Sequence, residues 1–125
     1  MTELRIAGTT STPTIHCTSV PPRVCLQGDS YPENAFELYQ PLMQWLQAHL
    51  DPADATLNME LELVYLNTSS VRVMMDVFDL LEDAHRSGKA VSVRWYFDPR
   101  NERVAELAEE FKEDLSLPFE ILPHP

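Results

Sequence analysis

Glycine is scarce in this chain: Gly8, Gly28 and Gly88 are the only three among 125 residues. No glycine-rich loop is therefore available to cradle a phosphate group. Basic residues are few as well, nine against 20 acidic ones, for a net charge of −11. Phosphate backbones and anionic lipid surfaces attract basic proteins, so this balance argues against nucleic acid and membrane as partners. It suits plain solubility or a basic protein partner. No stretch approaches the roughly 20 apolar residues that a membrane helix needs, so no direct membrane insertion is expected. The N-terminal MTELRIAG has no apolar signal core, and a cytoplasmic protein is expected. Cysteine is limited to Cys17 and Cys25. They read either as a pair facing each other across a hairpin turned at Val20-Pro21-Pro22, or as two buried thiols in a reducing compartment. With His16, His49, His85 and His124 scattered along the chain, they make no metal-ligand spacing. No nucleophile stands beside a histidine in a known catalytic motif. Catalytic residues, metal ligands and cofactors are accordingly expected to be none.

Proline, in contrast, is frequent, at 10 residues, and most of them separate periodic segments. The length suits one domain, residues 1–125, able to bury a core of its own. Residues 3–7, 14–18 and 23–27 read as short strands, and Gly28 to Asn34 as a loop entering a helix. Phe36, Leu38, Tyr39, Leu42, Met43, Leu46 and Leu50 then form one helical stripe. Pro41 lies inside it, so the helix either begins near Pro41 or bends there. In residues 56–66, Leu57, Met59, Leu61 and Leu63 alternate with Asn58, Glu60 and Glu62, the period of a half-buried strand. The alternation ends at Val64-Tyr65-Leu66, where deeper burial is expected. A second helix places Val71, Met74, Met75, Phe78, Leu81 and Ala84 or His85 on one face and stops at Ser87-Gly88. Residues 90–97 form a further strand. A third helix, 101–114, gathers Val104, Leu107, Ala108 and Phe111, and Pro118 to Leu122 offers a last strand. The aromatics Trp45, Trp95, Tyr96 and Phe97 read as core. The order β-β-β-α-β-α-β-α-β implies an α/β fold with a mixed sheet of about five to six strands and three helices. The polar Glu60 and Glu62 suit a sheet covered on one face and partly wet on the other.

Asn67-Thr68-Ser69-Ser70 lies where the clearest strand meets a long helix. A hydroxyl or amide here can cap the helix by accepting a backbone hydrogen bond. The free N–H groups and the helix dipole also favour an anion, so a phosphate on Thr68 would find donors at hand. Residues alone leave both roles open. Asp76, Asp79, Glu82 and Asp83 on the same helix give a second possibility, a small enzyme with an acidic site, although such residues on a surface helix usually face water. A constitutive structural subunit without any phospho-switch is a third.

The segments GDSYPENAFELY (28–39), YLNTSSVRVMMDVFDLLEDAH (65–85) and VRWYFDPRNERVAELAEEFKED (93–114) together resemble the SiaC family of regulatory phosphoproteins, in order and with the family's spacing. The resemblance implies a fold similar to the STAS-like anti-sigma-factor antagonists, in which a buried strand delivers a phosphorylatable hydroxyl to a helix N-terminus. It implies a partner-switching circuit of the SiaABCD type. An anti-sigma-type serine/threonine kinase would phosphorylate Thr68, and a metal-dependent protein phosphatase would reverse this. The unmodified form would bind and activate a diguanylate cyclase, raising cyclic di-GMP and promoting biofilm or aggregate formation. Asn67, Ser69 and Ser70 complete the phosphoacceptor motif, and Tyr31, Glu33 and Asn34 match another family segment. Arg72, Asp76 and Asp79, on the exposed side of the same helix, are the candidates for the rest of the partner contact.

Overall fold

The computed structural model describes residues 3–124. In chain order the elements are β1 (Leu4–Ile6), β2 (Thr14–Ser19), β3 (Pro22–Ser30), α1 (Ala35–His49), β4 (Thr56–Leu66), α2 (Thr68–Arg86), β5 (Ala90–Phe97), α3 (Glu102–Glu113) and β6 (Phe119–Pro123). This is the α/β order expected from the sequence. The six strands form one sheet in the order β1-β2-β3-β4-β5-β6. β1, β2 and β3 pair antiparallel, as short connections allow. From β3 to β6 each pair is parallel, and each connection carries one helix.

The period-two pattern decides which face is covered. Ile15 and Cys17, Val24 and Leu26, Leu57 to Leu63 at alternate positions, and Val91, Val93 and Trp95 are buried in one core with all three helices. The register keeps them on one side: Val24 faces Met59, Leu26 faces Leu61, and Leu61 faces Trp95. Phe78 of α2 meets Phe111 of α3 at 5.0 Å and Phe119 of β6 at 5.4 Å, so aromatic packing closes the β5–β6 end. The other sheet face is polar. Arg23 pairs with Glu60, Arg94 with Glu120, and Ser92 donates to Asn58 across neighbouring strands.

Several expectations change here. β3 continues through Gly28 and Asp29 to Ser30, where a loop was expected. Gly28 has φ +120°, which glycine alone adopts cheaply, and the ladder is irregular between Gly28 and Ser30. α1 starts at Ala35 because Asn34 caps it, and Pro41 is accommodated inside the helix on its exposed side. Phe36, read as part of the buried stripe, is 68% exposed. Val64 and Tyr65 are over half exposed rather than deeply buried. The cause is the end of the β5 ladder, whose last pair joins Leu61 to Trp95 and leaves the rest of β4 running past its neighbour. Tyr96 is half-buried rather than core, and Phe97 is half-buried and packs against the core. The cysteines cannot face each other: Cys25 lies opposite His16 and Cys17 opposite Val24, which puts the two thiols on opposite sheet faces. Both are free, and burial pushes the Cys17 thiol up to about 12.

Candidate functional site

The carboxyl ends of β3, β4 and β5 lead into the three helices, and an asparagine caps each one. Asn34 accepts from the Glu37 N–H at 3.1 Å, Asn67 from Ser70 at 2.9 Å and Asn101 from Val104 at 3.3 Å. Two of the caps also bind the preceding unit through their amide nitrogens. Asn67 donates to the Pro32 carbonyl at 3.1 Å, and Asn101 donates to the Val64 carbonyl at 3.1 Å. The starts of α2 and α3 are thereby fixed to the segments beside them at the carboxyl end of the sheet.

The four motif residues have four different environments. Asn67 is extended, at φ −76° and ψ 173°, and its backbone N–H donates to Ser30 at 2.9 Å. Thr68 is the first residue of α2; it is exposed, and its hydroxyl has no hydrogen-bond partner among the described residues. Ser69 is exposed too, but its hydroxyl donates to the Asn67 side chain at 3.2 Å. Ser70 is fully buried. Its Oγ shares a hydrogen bond with Ser30 Oγ at 2.8 Å, and Ser30 Oγ shares another with the Tyr39 hydroxyl at 2.6 Å. Burial raises the Tyr39 phenol above its ordinary pKa, against the opposing effect of the Ser30 bond. This hydroxyl chain ties α2, β3 and α1 together directly behind Thr68.

The segment around Tyr31 does lie beside this junction, since Pro32 accepts from Asn67. Tyr31 is exposed and meets Tyr65 edge-on, with ring centroids 5.9 Å apart. Glu33 is exposed to solvent and Asn34 serves as the α1 cap. Arg72, Asp76 and Asp79 all lie on the exposed side of α2, but not in one site. Asp76 lines a groove of about 620 Å³ between α1 and α2, together with Phe36, Met43 and Val73. Asp79 lines a separate groove of about 220 Å³ between α2 and α3. Glu82, read from the sequence as facing water, is 6% exposed and held by Ser116 and Leu117. The acids of α2 thus do not converge, and among the described residues no group of three His, Cys, Asp or Glu could hold a metal ion.

Ser30, Tyr39 and Tyr65 belong to this region and were not singled out from the sequence. The first two are joined to Ser70 only by the tertiary fold. Tyr65 did carry a signal, the break in alternation, but it marked exposure rather than burial.

The chain's relatives bear on this geometry. The family model described as "SiaC family regulatory phosphoprotein" matches residues 6–124. An uncharacterized protein of Pseudomonas aeruginosa strain UCBPP-PA14 is 52% identical over 124 residues, which cover 99% of this chain and 98% of that one. The solved structure of SiaC of Pseudomonas aeruginosa superposes with a TM-score of 0.93 at 50% identity, covering 99% and 100% of the two chains. A further match is to a crystal structure of the diguanylate cyclase SiaD in complex with its activator SiaC from Pseudomonas aeruginosa. Its TM-score is 0.92 at 53% identity, over 97% and 99% of the two chains. Among the described residues no helix is long and apolar enough to cross a membrane. With nearly its whole length matched in sequence and in structure, this chain belongs to the SiaC family of regulatory phosphoproteins.

Proposed function

We propose that this chain is a cytoplasmic, phosphorylation-switched activator. Unmodified at Thr68, it binds a diguanylate cyclase and raises cyclic di-GMP, promoting biofilm or aggregate formation. An anti-sigma-type serine/threonine kinase places the phosphate, and a metal-dependent phosphatase removes it. The observation that carries this reading is the position of Thr68. Of the three motif hydroxyls, it alone is both exposed and without a hydrogen-bond partner among the described residues. A kinase can reach it without breaking the cap or the buried hydroxyl chain. The similarity to a protein whose solved complex contains a diguanylate cyclase supports the choice of partner.

The switch follows from charge and desolvation. Tyr31 adjoins Pro32, which accepts from Asn67, and Tyr65 precedes Asn67 by two residues, so the exposed tyrosine pair adjoins the cap of Thr68's helix, a rim suited to a tightly packed, water-excluding contact. Phosphorylation adds about −1.5 to −2 charge to that rim. A partner covering the unmodified hydroxyl would then have to bury a dianion for which it provides no donors, at a cost of several kcal/mol. At about 1.4 kcal/mol per factor of ten, this is enough to release a micromolar partner. Thr68→Ala is therefore expected to bind the cyclase as the native chain does. Thr68→Asp should bind at least about 10-fold more weakly, with the phosphorylated chain weaker still. Titration calorimetry with the full-length cyclase measures this; equal affinities for Thr68→Ala and Thr68→Asp, with no effect of phosphate, would rule the switch out.

A further inference from the structure

α2 carries two arginines, and they are treated differently. Arg86 bonds Glu82, the carboxylate four residues before it, at 3.0 Å. Arg72 is exposed and has no ion pair among the described residues, although Asp76 stands four residues after it. The order of the charges explains the difference. Helical side chains lean toward the N-terminus, so a cation reaches the turn before its own, and an acid four residues before a base makes the better pair. The residue four before Arg72 is Thr68. A free guanidinium is also the exception in this acidic chain, where five of the seven arginines pair with a carboxylate at 3.3 Å or less. Nor does the helix dipole favour a cation near the start of α2.

The cap leaves a phosphate on Thr68 short of donors. The Ser70 N–H already donates to the Asn67 side chain at 2.9 Å, and the Val71 N–H to the Asn67 carbonyl at 3.0 Å. The nearby charges on other turns and segments are negative: Asp76 on α2, and Glu33 in the segment that Asn67 holds through Pro32. Before Arg86, Arg72 is the only basic residue of α2. It lies about 6 Å from Thr68 along the helix axis, a rise that a guanidinium spans. Arg103, the other arginine without an ion pair among the described residues, has Pro99 four residues before it, outside α3. The spacing therefore singles out Arg72.

We propose that Arg72 is the latch of the Thr68 switch: free in the unmodified chain, its guanidinium pairs with the phosphate once Thr68 carries one. The inference rests on the reading of Thr68 as phosphoacceptor and adds the residue that receives the phosphate. The pair forms in the order that Glu82 and Arg86 use at the other end of the same helix. A guanidinium meets phosphate oxygens with two parallel N–H groups, whereas an ammonium offers a point charge. The latch holds the phosphate along α2 without breaking the Asn67 cap or the buried hydroxyl chain. It does not cancel the switch. A phosphate of about −1.5 to −2 against one positive charge leaves the pair negative, so the cost of burying it persists.

The test uses the full chain with phosphothreonine inserted genetically at position 68, so that no kinase is needed. Phosphorus NMR follows the second ionisation of the phosphate as pH is varied, and thermal melting verifies that each variant stays folded. A cation beside the phosphate favours the dianion, so the native chain is expected to titrate about 0.4 pH unit below Arg72→Gln. Arg72→Lys should recover part of that difference, since it keeps the charge and loses the fork. Arg103→Gln removes the same charge from α3 and is expected to stay within about 0.1 pH unit of the native chain. A native chain that titrates at the same pH as Arg72→Gln overturns the latch, even where phosphate releases the cyclase. So does an Arg103→Gln chain that shifts as far as Arg72→Gln, because net charge alone then accounts for the effect. A low value in the native chain that only Arg72→Gln loses supports the latch. It does so even where phosphate leaves cyclase affinity unchanged, a result that overturns the switch reading alone.

Discussion

Ser70 and Thr68 are both hydroxyl residues of one short motif, yet they do opposite things. The turn of α2 points Ser70 inward, where Ser30 and Tyr39 complete its hydrogen bonds, and leaves Thr68 in solvent. A buried hydroxyl stripped of its partners costs about 1–3 kcal/mol, so this chain fixes the first turn of α2 firmly while the Thr68 hydroxyl stays free. Ser70→Ala and Tyr39→Phe are each expected to lower stability by about 1 kcal/mol in urea unfolding. Because both bond to Ser30, their effects should not add, and a coupling of about 0.5 kcal/mol or more is expected in the double variant. Strict additivity would show that the three hydroxyls do not act as one chain. The sequence made the capping role of the motif legible, since a polar cluster between a strand and a helix is a local signal. It could not sort the three hydroxyls by burial. That depends on Ser30, brought to Ser70 by the pairing of β3 with β4, and on Tyr39, brought by the packing of α1.

α2 shows what periodicity resolves at the scale of an element. The helix and its stop were legible: Ser87 caps it and Gly88 takes φ +95°. The face was read slightly rotated. Val73 and Val77 are buried, while Val71 is half-buried and Met75 exposed, because α2 is shared between α1 on one side and α3 on the other. The same rotation carries Glu82 into the interior. Its carboxylate accepts from the Ser116 hydroxyl at 2.6 Å, from the backbone N–H groups of Ser116 and Leu117, and from Arg86 at 3.0 Å. A side chain that reads as one more surface acid is thus a clamp between α2 and the segment entering β6. The Ser116 hydroxyl bond is the largest influence on its pKa; with the backbone N–H groups and Arg86 it outweighs the opposing effect of burial and holds the carboxyl at about 2, below the ordinary 4.5. The depressed value means that the clamp is at full strength above the unfolded pKa. It weakens as the pH falls from about 4.5 toward about 2. Glu82→Gln is expected to lose about 1–3 kcal/mol at pH 7, with the deficit shrinking in that acidic window. Urea unfolding of both proteins at several pH values checks this; a deficit that does not change with pH would remove the charged clamp from the account.

For the molecule as a whole, the order of strands and helices was readable because each element carries its own period, as Leu57 to Leu63 do against Asn58 to Glu62. The sheet edge at Val64 and Tyr65 was not, since it depends on where the β5 ladder stops. Charge acts at this scale too. A net charge of −11 on 125 residues repels itself, and pairs such as Arg23–Glu60 and Arg94–Glu120, exposed on the open sheet face, offset little of it. Added salt screens that repulsion, so the isolated chain should become more stable as ionic strength rises. A gain of about 2–5 °C in Tm is expected between low salt and a few hundred millimolar sodium chloride. The same screening acts on a complex in the opposite sense. A basic partner drawn to this acidic surface loses attraction as salt rises, and its association rate should fall by about 10-fold or more over that range. Folding and binding thus respond to salt with opposite signs, which separates a partner held by charge from one held by apolar contact alone. Melting curves and stopped-flow association, run on one salt series, read both. A rising Tm with a salt-independent association rate would leave the acidic surface with a role in solubility and none in partner choice.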